Sequence, residues 1–85
     1  MKCDWNLIYA ILLILEEKGS AALPSNQIKI ENFSTEQIHY HCQLLYEREF
    51  ISGKKMSNGN EKYINIINMT WEGHEFLDSL RAEPI

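Results

Sequence analysis

Apolar residues recur at Leu7, Ile8, Ile11, Leu12 and Leu15, the three-and-four spacing that makes one apolar face of a helix. Asp4 can cap its start, and Gly19 after Glu16-Glu17-Lys18 is a stop signal, so the pattern predicts a helix over about 4–18. Leu13 and Ile14 widen the stripe, as expected of a helix buried on more than one side. From Ser20 to Asn32 the period changes. Pro24 disfavours a helix, and the alternation Ile28-Lys29-Ile30 predicts a loop followed by a short strand near 28–30. Ser34-Thr35-Glu36-Gln37 has the form of a capping box and opens a second helix over about 35–48. Around that helix Ile38, His41, Cys42 and Leu45 share the inner side, while Glu36, His39, Tyr40, Gln43 and Glu47 lie outside.

Two extended runs, Phe50 to Met56 and Lys62 to Met69, then flank Ser57-Asn58-Gly59-Asn60. Asn-Gly between such runs predicts a β-hairpin over about 50–69. Thr70 is a good cap for a last helix over about 71–81, in which Gly73, Phe76, Leu77 and Leu80 form the buried face and Trp71, His74, Glu75 and Asp78 the outer one. The order helix, short strand, helix, hairpin, helix reads as one α+β domain over 1–85 with a winged-helix-like layout. The helix that would precede the reading helix in that layout has only the stretch 20–33 available, so it is short, irregular or missing.

With 85 residues, 45% of them apolar, the chain suffices for a single modest core, and a second copy would add buried area cheaply, which keeps a homodimer in view. Twelve acids against eight bases, net charge −4, count against sequence-independent nucleic-acid binding and shift the question to a local basic patch. Cys3 and Cys42 lack metal-binding or disulfide-framework spacing. The apolar run of the first helix is too short to span a bilayer, and no small-residue cleavage site follows it, so the expectation is a cytoplasmic protein without membrane contact.

Candidate chemistry is sparse. His74 and Asp78 are one helical turn apart, but zinc needs at least three protein ligands, and no metal or cofactor is expected. His39 and Cys42 have compatible spacing without a companion that would make Cys42 a nucleophile. No phosphate-binding Gly loop, GxSxG or convergent carboxylate pair occurs, so no enzymatic activity is expected. Gly73 inside a helix implies a close backbone approach to helix one or the hairpin. Lys54, Lys55 and Lys62 form the one dense basic cluster. They either contact phosphates, with His39, Tyr40 and Gln43 probing base edges, or protect an exposed strand edge. Trp5 and Trp71, with His74 and Asp78 beside the latter, either pack within the chain or mark a partner or dimer surface.

Three stretches, MKCDWNLIYAILLILEE, ENFSTEQIHYHCQLLYEREFI and above all MTWEGHEFLDSLR, resemble the bacterial and phage proteins grouped as domain of unknown function 2513. The resemblance covers nearly the whole chain and implies a small winged-helix-like domain of phages and prophages, with no established biochemical activity. Glu49-Phe50-Ile51 departs from it, standing where relatives often carry a glycine-containing turn into the wing, and the chain lacks the longer tail associated with that family. Two functions follow as expectations. One is a small DNA-binding regulator, using helix 35–48 and the wing. The other is a protein-interaction module that holds a host or phage protein or its own copy.

Overall fold

Helix α1 (Trp5–Glu17) starts where Asp4 turns its carboxylate onto the N–H groups of Asn6 and Leu7. Leu7, Ile8, Ile11, Leu12 and Leu15 are buried, with Leu13 and Ile14 half-buried around them, so the widened stripe does correspond to packing on several sides. A computed structural model describes residues 2–82, and in it α1 is followed by β1 (Leu23–Pro24), one 3₁₀ turn (Ser25–Gln27), α2 (Thr35–Glu47), β2 (Ile51–Asn58), β3 (Glu61–Met69) and α3 (Trp71–Ala82). The sheet is antiparallel with order β1-β3-β2. Three helices, a small sheet and a protruding hairpin make an α+β, winged-helix-like layout, with the 3₁₀ turn in the place of the missing helix.

The strand expected at 28–30 is not there. The residues that pair with β3 are Leu23 and Pro24, opposite Ile66 and Asn65. Pro24 has no N–H to extend the ladder, and the chain turns at once into the 3₁₀ turn, with the Ile28 N–H on the Ser25 carbonyl. Ile28 is nevertheless buried, Ile30 half-buried and Lys29 exposed. The alternation reports a loop that sinks its isoleucines into the core without joining a strand.

Both ends of α2 are set by local chemistry. At the start, Ser34 Oγ accepts the Gln37 N–H while the Gln37 side chain accepts the Ser34 N–H, a complete capping box. At the end, the Glu49 N–H reaches the Tyr46 carbonyl and the Phe50 N–H the Leu45 carbonyl, the paired bonds of a Schellman motif. Its left-handed position is held by Glu49 at φ 62°, a conformation glycine adopts without strain. Glycine would be the easiest residue at this position.

The hairpin closes through Gly59-Asn60, with Asn58 opposite Glu61 and Gly59 at φ 64°, so glycine occupies the first of two connecting positions. Relative to the hydrophobic pattern, β2 therefore runs two residues further, through Ser57 and Asn58, and β3 starts one residue earlier, at Glu61. At the base, Ser52 opposes Asn68 and Gly53 opposes Ile66, which leaves Ile67 as a bulged residue. Lys18 Nζ donates to the Ile67 carbonyl at 2.8 Å and also to the Gly19 and Ala21 carbonyls, fastening the end of α1 to the bulge.

Helix α3 is locked onto the turn that enters the wing. Thr70 Oγ1 accepts the Gly73 N–H and donates to the Glu49 carbonyl, and the Thr70 N–H donates to the Phe50 carbonyl. A Cβ at Gly73 would lie 2.0 Å from that Phe50 carbonyl oxygen and 2.6 Å from Met69 Cγ. The close approach expected of Gly73 is therefore to the root of the hairpin. Phe50 and Phe76 stack there at 4.7 Å between ring centroids.

Candidate nucleic-acid interface

His39, Gln43 and Tyr46 follow one another at four- and three-residue intervals along α2 and so share a side of the helix. That side faces the wing. A groove of about 340 Å³ lies between them, lined by His39 and Gln43 from α2 and by Lys55, Ser57, Lys62 and Tyr63 among the hairpin residues. Strand register decides which lysines enter it. Lys55 opposes buried Ile64 and Ser57 opposes Lys62, so these side chains share the face turned toward α2. Lys54 opposes Asn65 on the far face, and Tyr40 packs edge-on against the His41 ring at 5.5 Å. Of the residues proposed from sequence, His39, Gln43, Lys55 and Lys62 are brought together, while Lys54 and Tyr40 are not.

No aspartate or glutamate lines this groove, although the chain carries an acidic excess. Lys55 sits over the Tyr46 ring, 5.6 Å from its centroid, a cation–π contact that leaves the charge unneutralised. Among the described residues the ion pairs join Arg81 to Glu16 and to Asp78, well separated in sequence from the wing. The acids of α2 are outside the groove. Glu36 and Glu47 are exposed, and Glu47 accepts a hydrogen bond from Gln43 at 3.4 Å.

Sequence reasoning missed Ser25, which is fully buried in the 3₁₀ turn. Its Oγ accepts the Ile64 N–H at 3.0 Å, just past the end of the β1–β3 pairing, and lies 3.2 Å from His39 Nδ1. A hydroxyl has one hydrogen, and the Ile64 N–H cannot accept it. Leaving that hydrogen buried without an acceptor costs on the order of 1–3 kcal/mol, so it is donated to His39 Nδ1. The neutral His39 ring therefore carries its own hydrogen on Nε2. His41 has the opposite arrangement. Its Nδ1–H donates to the Gln37 carbonyl at 2.7 Å, and its Nε2 accepts the Asp4 N–H at 2.8 Å. Fully engaged and 1% exposed, His41 ties the start of α1 to α2 and has no polar atom left for a ligand.

Burial pushes the Cys42 thiol up to about 12, which keeps it in the protonated, weakly nucleophilic form at neutral pH. Among the described residues no group of three or more His, Cys, Asp or Glu is placed to hold a metal ion, and no helix is long and apolar enough to cross a membrane. His74 and Asp78 are exposed on α3, where the Asp78 carboxylate lies 3.9 Å from Arg81.

Residues 2–85 match the family described as hypothetical protein (DUF2513). The chain belongs to the DUF2513 family. It is 34% identical over 85 residues to an uncharacterised protein of Haemophilus influenzae, an alignment that covers 100% of this chain and 72% of that one. No solved structure matches it.

The second surface proposed from sequence divides in this DUF2513 chain. Trp5 is 61% exposed, with its ring 6.1 Å from that of Phe76, and it borders an apolar cavity of about 390 Å³ with Ile8, Leu44, Phe50, Phe76 and Arg48. Trp71, His74 and Asp78 are not among the residues lining that cavity. Trp71 is 75% exposed at the start of α3.

Proposed function

We propose that this DUF2513 chain is a non-enzymatic, winged-helix DNA-binding regulator of bacteria or their prophages, with α2 as the reading helix and the β2–β3 hairpin as the wing. The observation that carries the reading is the acid-free groove, where His39, Gln43, Lys55 and Lys62 meet in a chain of net charge −4. Duplex phosphates would approach along the wing, because Glu36 and Glu47 repel them from the outer side of α2. Fluorescence anisotropy with a labelled duplex at low and high salt tests it. Binding should be clear at low salt and weaken steeply with added salt. A protein that binds no duplex even at low salt rules the reading out.

A second reading, docking of a protein partner or a second copy, is favoured by the exposure of Trp5 and Trp71. Light scattering across a concentration series tests the self-associating form. A dimer that dissociates on Trp71→Ser or Trp5→Ser supports it, whereas a monomer at all concentrations removes it.

A further inference from the structure

We infer that the groove between α2 and the wing is a phosphate site in which His39 Nε2–H is a fixed donor and Ser25 is the positioning residue that fixes it. The inference rests on the proposed DNA-binding reading only for the biological source of the phosphate. Its chemistry comes from the donor set. The Ser25 hydroxyl occupies Nδ1, so the remaining polar edge of the His39 ring is a donor. Lys55 and Lys62 add two ammonium groups and Ser57 a hydroxyl, and no carboxylate lines the groove to accept from them.

Such a set discriminates between parts of a nucleic acid. Base edges offer donors and acceptors in mixed patterns, whereas non-bridging phosphate oxygens only accept. Gln43 is the exception, since its amide carries both functions, and its nitrogen already donates to Glu47. His39, placed by sequence among the base-reading candidates, is thereby reassigned to the backbone. The ring needs no rearrangement on binding, because Ser25, itself anchored to the sheet by the Ile64 N–H, holds Nδ1 before any ligand arrives.

The full chain is tested in two arms. Long-range proton–nitrogen NMR of the imidazoles should find His39 as the Nε2–H tautomer beside His41 as the Nδ1–H tautomer. His39 in the Nδ1–H form overturns the inference. Titration then compares inorganic phosphate, chloride at matched ionic strength and a short duplex. Phosphate, but not chloride, should shift the His39 ring and Ser57 signals.

His39→Leu should weaken duplex binding about tenfold and equally across sequences, because the lost donor serves the phosphate backbone and not the base edges. His39→Gln, which keeps a donor near Nε2, should recover most of that loss. Ser25→Ala should mix the His39 tautomers and weaken binding in a spectrum that remains folded. Phosphate binding without duplex binding defeats the DNA reading and sustains this one. Duplex binding indifferent to His39→Leu, or altered by it at only some sequences, does the reverse.

Discussion

Single residues carry two sharp expectations. Cys3 is exposed, whereas Cys42 is buried with its thiol raised to about 12. A disulfide-exchange reagent at neutral pH should therefore titrate one thiol in the folded protein and two after denaturation, since the thiolate is the reacting form. Two fast thiols in the folded chain would contradict the burial of Cys42. Gly73 is the second case. A methyl group there would overlap the Phe50 carbonyl oxygen, an atom already committed to the Thr70 N–H, and the Met69 side chain. The better helix propensity of alanine, worth about 1 kcal/mol, opposes this overlap, but relief requires moving backbone at the root of the wing. Gly73→Ala should cost a net 1–3 kcal/mol or so, read from the urea midpoint. An unchanged or raised midpoint would mean that α3 does not press on the wing turn.

At the scale of elements, the Schellman turn that joins α2 to the wing holds a removable strain. Glu49 occupies the left-handed region at φ 62°, which costs a non-glycine residue roughly 1–2 kcal/mol, partly offset by the larger unfolded-state entropy of glycine. Glu49→Gly should raise stability by up to about 1 kcal/mol, measured as a higher thermal midpoint; a fall would show that the glutamate side chain contributes more than the strain removes. The conformation of this turn was not legible in the sequence, because the Glu49 and Phe50 N–H bonds depend on how α2 stops. The capping box at Ser34, the helix spans and the hairpin were readable because each is signalled within a few neighbouring residues. The strand was misplaced because Ile28 and Ile30 bury their side chains in the same alternation a strand would, while the choice of partner for β3 is made by Leu23 and Pro24. The groove was half legible for a similar reason. Which of three lysines faces α2 follows from a register set by Gly59-Asn60, and the role of Ser25 depends on Ile64, 39 residues away.

For the molecule as a whole, the paired and the unpaired charges respond to different variables, the first to pH and the second to salt on binding a polyanion. Arg81 donates two hydrogen bonds to Glu16 and joins α3 to the end of α1. Those bonds hold the Glu16 carboxyl below its ordinary value of 4.5. A depressed carboxyl contributes stability that is present above the ordinary value and lost as pH falls through the lowered one. The thermal midpoint of Glu16→Gln should thus lie slightly below the parent at neutral pH and low salt, and converge with it below the carboxylate range or in high salt. At the wing, the same logic of position predicts inequality among neighbouring lysines. Lys55→Gln and Lys62→Gln remove charges from the acid-free groove, and each should lower the slope of log affinity for duplex against log salt by about one. Lys54→Gln removes the same charge from the far face of the hairpin and should leave that slope nearly unchanged. Equal effects from all three would mean that the duplex senses only the net charge of the hairpin, and that the groove formed with α2 plays no part in how it is held.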